Sequence, residues 1–265
     1  RVLATNPVAG YAKIQLYVPY YLRVGDAHAD PLLRALLETS IAEYDTDLYA
    51  DNLVGLPLLA RTGGSDDNVP PMHTRRLVRV VNSLSRNATA AGIREDPGEG
   101  HWFDGIMSDD HVAGFIDAHT GVDAALPSLP AAFSLVTLNP ASSGPRGGIR
   151  VLQMAARARA SRVHVEQIDN GATWVLRTSN VRRLSVGGDA RMTAATVIVD
   201  DHVFDAADLA GATIVRESPT ATWQVVYGDE WALTERSPRT YGPLLQLFDA
   251  RWVAVVGTRG DAQRT

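Results

Sequence analysis

The chain of 265 residues has no cysteine. That excludes a disulfide framework, a thiolate metal site and a cysteine nucleophile, and it leaves the redox compartment open. Lysine is almost absent too, with Lys13 alone among 25 basic residues, the rest arginine. Against these stand 30 Asp and Glu, giving a net charge of -5. No broad basic field follows from that balance, so a nucleic-acid partner is not expected. No run approaches the roughly 18 apolar residues of a membrane span, so a membrane partner is not expected either. No signal peptide is visible in the first residues, and the chain opens at Arg1 rather than Met,.

What is present is a 45% hydrophobic composition, enough for a substantial core in one large or two ordinary domains. Residues 1–29 are apolar and aromatic without a clean period, which reads as irregular loop and short helix, with Tyr17, Tyr20 and Tyr21 available to line a pocket or a domain contact. Asp30-Pro31 is a helix start, with Leu33, Leu37, Ile41 and Tyr44 on one face,. Residues 53–61 form an apolar run suited to a strand buried on both faces. A helix over 72–86 follows, with Leu77, Val81 and Leu84 as its buried stripe,. A short strand over 93–96 comes next. Asp109 or Asp110 then caps a third helix that carries Val112, Phe115 and Ile116 and ends near Gly121,. This strand, loop, helix order is that of the end of a doubly wound parallel α/β sheet, in which reactive groups gather at the carboxyl ends of strands.

Residues 124–130 read as a boundary. Beyond it come eight short candidate strands, at 133–138, 149–154, 162–167, 172–177, 181–186, 196–199, 213–216 and 223–227, several of them β-branched or alternating,. Asn170-Gly171 between two of them is a hairpin signal, because both residues tolerate positive φ. An all-β, sandwich-like module is expected over 131–229, after an α/β unit over 1–123. Residues 242–248 read as a short helix and 251–257 as a strand, the start of a further α/β segment over 230–265 that continues beyond the chain.

Two loops carry the chemistry. Gly63-Gly64-Ser65-Asp66-Asp67-Asn68-Val69-Pro70 follows the first strand, and Gly98-Glu99-Gly100-His101-Trp102 follows the second. Singly, an Asp after Gly-Gly is a turn or cap residue and a His beside Gly is a loop histidine. Together, at the ends of successive strands, they fit the last two members of a serine-hydrolase triad, in which a carboxylate orients the histidine that moves the serine proton. The chain order also fits, since Ser, Asp and His follow one another in α/β-hydrolases.

The segment LPLLARTGGSDDNVPPMHTRRL, with GEGHWFDGIM downstream, resembles the C-terminal part of a prolyl oligopeptidase-type catalytic domain of the α/β-hydrolase fold. The resemblance is good from Leu56 to Met107 and covers under half the chain. It implies Asp66 as the catalytic acid and His101 as the base, with Asp67 in the turn. Members of that family usually carry His-Gly where Thr62-Gly63-Gly64 stands here. No G-x-S-x-G element precedes Asp66, so the nucleophile and oxyanion-hole donors are expected upstream of residue 1, on a missing N-terminal part of the same polypeptide. The implied substrate is a peptide or an ester. The alternative is a non-catalytic fragment or pseudoenzyme whose β module binds protein or glycan.

Weaker constellations imply no cofactor and no metal. His101, Asp104, Asp109, Asp110 and His111 match no ligand spacing, and the aspartates suit helix caps. The glycine-rich residues 142–148 lack the Lys-Ser/Thr and context of a phosphate loop and read as a linker. Trp174, Arg177, Arg182 and Arg183 make either a binding face or ordinary core and solvated surface. His73 reads as structural, and Trp102 as an active-site wall or core. The Asn87-Ala88-Thr89 sequon leaves secretion open,.

Overall fold

A computed structural model of the chain describes residues 2–14, 16–17, 30–32, 41–121, 125–241, 251 and 253. The first strand is β1, Leu58–Gly63, with all six residues buried. It pairs in parallel with β2, Ala91–Asp96, in register from Leu58 opposite Ala91 to Gly63 opposite Asp96. On the other edge of β1, Thr5 and Val8 bridge in parallel to Leu58 and Arg61. Residues 5–8, β1 and β2 thus lie side by side in chain order. The expectation of loop and short helix for residues 1–29 missed this pairing. Pro7 has no N–H to add to a ladder, and the segment joins β1 and the residue before it through Thr5 N–H, Ala9 N–H, the carbonyls of Thr5 and Pro7 and the Asn6 side-chain amide.

The crossover from β1 to β2 is α1, Met72–Ser85. Its buried face of His73, Thr74, Leu77, Val78 and Val81 closes over Leu58, Ala60, Ala91, Ala12 and Ala50. Leu84, expected in that stripe, is 41% exposed because the helix ends one residue later. The expected strand over 53–61 starts late. A 3-10 helix, Thr46–Leu53, ends there, Gly55 turns at φ 81, and Pro57 offers no ladder donor. After β2 comes α2, Asp110–Thr120, whose N-cap Asp109 accepts from Val112 N–H at 2.9 Å. Val112 is its one buried residue, while Ile116 is 40% exposed. In the first expected helix, Asp30 accepts from Leu32 N–H at 2.9 Å, as an N-cap does,. Leu33 and Leu37 lie outside the described residues, Ile41 is helical, and Tyr44 belongs to a 3-10 turn.

The rest of the described chain is mostly β. Strands β3 (Ala132–Thr137), β4 (Ile149–Met154), β5 (Ser161–Ile168), β6 (Thr173–Ser179), β7 (Val181–Val186), β8 (Thr196–Val199), β9 (His202–Asp205), β10 (Ala212–Val215) and β11 (Gln224–Tyr227) make two sheets. One has the order β3-β5-β6-β8-β9 and the other β11-β10-β7-β4. Pairing is antiparallel except for β6 with β8. Inward residues of both sheets, among them Val163, Val165, Trp174 and Leu176 from one and Ile149, Val151, Leu184 and Ile214 from the other, share a single core. This is sandwich packing, driven by burial of alternate side chains. The Asn170-Gly171 turn links β5 to β6 at φ 55 and 88, with Asp169 also left-handed at φ 52. Strand β9 was not expected. It follows a two-residue turn in which Asp200 and Asp201 both take positive φ, and its Val203 points out at 68% exposure.

Polar contacts tie the sandwich to the first unit. The Asn52 amide donates to Val136 O and accepts from Val136 N, each at 2.8 Å. Arg162 pairs with Asp51 at 2.8 Å. Arg146 donates to Asp51 O, Ser134 O and Val54 O, and burial lowers its pKa to about 10. Residues beyond β11 return to the sheet of β4 and β7. The guanidinium of Arg183 stacks 4.3 Å from the ring of Trp231 in the short helix α3, Trp231–Thr234. Gln153 donates to Arg236 O, and Met154 N–H donates to the Tyr241 hydroxyl. The helix expected over 242–248 and nearly all of the strand expected over 251–257 lie outside the described residues. No helix among the described residues is long and apolar enough to cross a membrane.

Candidate active site

The carboxyl ends of β1 and β2 are adjacent, so the loops that leave them meet. Gly64 N–H donates to Asp96 O and Ser65 N–H to Glu99 O, both at 2.8 Å. Gly63 makes the contact possible: a Cβ at that position would overlap the carbonyl oxygens of Glu99 and Gly100. Any side chain there would push the second loop off the first.

Asp66 is 4% exposed. Its Oδ1 accepts from the main-chain N–H of Asn68 at 3.0 Å and of Val69 at 2.8 Å. Its Oδ2 lies 2.9 Å from His101 Nδ1. A carboxylate can only accept, so in a neutral ring held this way Nδ1 carries the proton and Nε2 the lone pair. The His101 side chain is 19% exposed, and Nε2 has no partner among the described residues. Both residues singled out in the sequence therefore come together, with the geometry that a base and its orienting carboxylate need. Trp102 meets the His101 ring edge-on, with centroids 5.2 Å apart. At 67% exposure it is a surface wall beside the histidine and not core.

Beneath this pair lies a residue that sequence reasoning did not single out. Arg61, 2% exposed on β1, donates from Nε to Asp96 Oδ2, from Nη1 to Gly105 O and Ile106 O, and from Nη2 to Asp109 Oδ2, at 2.7 to 2.9 Å. Burial opposes its charge, but the hydrogen bonds and charges of Asp96 and Asp109 more than offset this and raise its pKa. Burial likewise opposes ionisation of Asp96, yet hydrogen bonds from Arg61 and Arg94 hold its carboxyl below the usual range. Asp109 is lowered first by the Val112 N–H, then by the two arginines. An arginine inside an apolar strand is itself a signal, because it needs acceptors.

The other candidates take different places. Among the described residues no three His, Asp or Glu come together as a metal could require, and Asp109 is committed to its cap and to Arg61. His73 is 1% exposed and its Nδ1 accepts from Ala12 N–H at 3.3 Å. Burial, then the charge of Arg76, lowers its pKa. Tyr17 stacks on Tyr11 and meets the His73 edge, while Tyr20 and Tyr21 lie outside the described residues. Trp174 is fully buried core. Arg177, exposed at 66%, pairs with Glu166, Arg182 pairs with Glu217 and Glu235, and buried Arg183 donates to Gln153. Residues 142–148 lead into β4 at the contact between the two units, with Gly147 and Gly148 at φ 57 and 81.

No family model matches the chain. Over 227 residues, 84% of its length, it is 32% identical to an uncharacterized secreted protein of Arthroderma benhamiae. The chain spans 23% of the length of that relative.

Proposed function

We propose that the chain supplies the acid and the base of a serine hydrolase of the prolyl oligopeptidase type, and that residues 1–123 are the C-terminal part of an α/β-hydrolase catalytic domain. The observation that carries this reading is the 2.9 Å contact of Asp66 Oδ2 with His101 Nδ1 at the ends of adjacent parallel strands. The resemblance of the GGSDDNVP and GEGHW loops to that family supports it. So does the chain-order arrangement of residues 5–8, β1 and β2.

In this reading a serine hydroxyl attacks the carbonyl carbon of a peptide or ester, and His101 Nε2 takes the hydroxyl proton as the Oγ–C bond forms. The same proton passes from Nε2 to the leaving amine or alkoxide as its bond to the acyl carbon breaks. Water then repeats the sequence on the acyl-enzyme. Asp66 stays ionised throughout, holding the ring and stabilising the imidazolium. The serine belongs to sequence outside these 265 residues, which hold no G-x-S-x-G element. A parent longer than the chain agrees with its 23% span of the relative. The relative's printed name includes "secreted", and Asn87 of the sequon is exposed in the turn after α1. Both support secretion of the parent.

The test is kinetic, on the full-length polypeptide with p-nitrophenyl ester and peptide anilide substrates. Asp66→Asn, which favours the wrong tautomer, is expected to lower kcat by about 10⁴-fold. His101→Ala is expected to lower it by about 10⁵- to 10⁶-fold with KM little changed. Turnover like the wild type in either variant overturns the reading, and the better of the two substrates separates esterase from peptidase.

A further inference from the structure

We propose that Arg61 is the positioning residue of the Asp66–His101 pair, holding both ends of the loop that carries His101 with one buried guanidinium. The inference rests on the hydrolase reading for its catalytic meaning, but its structural content stands on geometry alone.

The loop runs over residues 97–108, with His101 near its start. Its first anchor is Asp96 at the end of β2, and its last is Asp109 at the N-cap of α2. Arg61 touches both: Nε donates to Asp96 at 2.8 Å and Nη2 to Asp109 at 2.7 Å. Between them Nη1 donates to the carbonyls of Gly105 and Ile106 at 2.8 and 2.9 Å. The ring of Phe103, also in the loop, lies 5.2 Å from the guanidinium carbon. Four donated bonds thus converge from a single planar group whose backbone sits in β1, two residues before the turn to Asp66 begins at Gly63. The loop of the base is thereby referenced to the strand of the acid.

Lysine could not replace this arrangement. An ammonium has three donors around one point, whereas the guanidinium fork spreads five over a plane. The charges also cancel locally. Arg94 lies outside Arg61, reaching Asp96 at 2.9 Å and Asp109 at 3.2 Å, so two cations face two carboxylates. The role assigned to Arg61 is the geometric one of its four donated bonds. Displacements of about 1 Å in a catalytic group cost up to roughly 10²-fold in rate.

Two variants separate positioning from mere folding. Arg61→Lys keeps the charge and loses the fork. Asp109→Asn keeps the α2 cap, since Asn caps as well as Asp, and weakens one end of the clamp only. Solution NMR of the chain reads the His101 Nδ1–H proton, hydrogen-bonded to Asp66, with the Trp174 indole as an internal control for the sandwich. Exchange of the His101 proton with water is expected to quicken by about tenfold or more in both variants, as local opening of the loop becomes easier, while the Trp174 signal stays put. In the full-length polypeptide kcat is expected to fall by about 10- to 100-fold with KM unchanged. If Arg61→Lys fails to fold, Asp109→Asn decides. An unchanged His101 signal in a folded variant overturns the proposal, as does an unchanged kcat in a polypeptide that His101→Ala inactivates. Turnover that survives His101→Ala would instead remove the hydrolase reading and leave the histidine signal to decide on Arg61.

Discussion

At Gly63 the backbone of the His101 loop occupies the space a side chain would fill, with the Glu99 and Gly100 carbonyls against the α-carbon. Gly63→Ala is therefore expected to destabilise the chain by about 1–3 kcal/mol through overpacking. It should also separate Asp66 from His101, lowering turnover of the full-length polypeptide. Chemical denaturation and the His101 Nδ1–H signal check this, and an alanine variant with both intact would contradict it. The two loop residues of the pair were legible because turn chemistry and a family resemblance marked each one. Their meeting at 2.9 Å was only implied, since it depends on how two strands 33 positions apart align. Arg61 was not legible as a clamp. Its partners lie 35 to 48 residues downstream, and a local apolar pattern says nothing about which carboxylates will reach it.

The elements differ in how they hold their polar members, and that sets the response to acid. His73 lies in the first turn of α1, where burial lowers its pKa below the ordinary 6.5. The unfolded chain binds that proton more tightly, so the stability from neutral His73 is complete above about 6.5 and is lost as pH falls through the depressed value. Asp96 and Asp109, held below the ordinary 3.8 at the two ends of the His101 loop, contribute stability that persists to lower pH. It disappears only as pH falls through their depressed values. Urea midpoints from about pH 8 down to about pH 1–2 are expected to fall in two steps, with the upper one flattened in His73→Asn, whose amide oxygen can replace Nδ1 as acceptor. A single acid transition unaffected by that variant would contradict the assignment. Most sandwich strands were readable because alternate burial, as in β5, writes period two into the sequence,. Strand β9, with four residues and none buried, carries no such imprint. Residues 5–8 pair through main chain around a proline, which side-chain patterning does not report.

For the whole molecule, the change of composition near residues 124–130 was visible in the sequence, but the contact between the two units was not. It joins main-chain groups of β3 and the 3-10 helix Thr46–Leu53 through Asn52 and Arg146, and side chains through the Arg162–Asp51 pair. Asn52→Ala would leave two polar groups of Val136 without those partners, at a cost of about 1–3 kcal/mol. Fluorescence and far-ultraviolet circular dichroism during urea unfolding should then show a lowered midpoint and separated transitions, and coincident curves with the wild-type midpoint would count against that contact. In the proposed function Asp66 and His101 serve a nucleophilic serine elsewhere in the full-length polypeptide. Fluorophosphonate labelling followed by peptide mapping tests it most directly. One labelled serine within a G-x-S-x-G element is expected, with labelling lost in His101→Ala. An unlabelled wild-type polypeptide, or labelling that persists in His101→Ala, would contradict it.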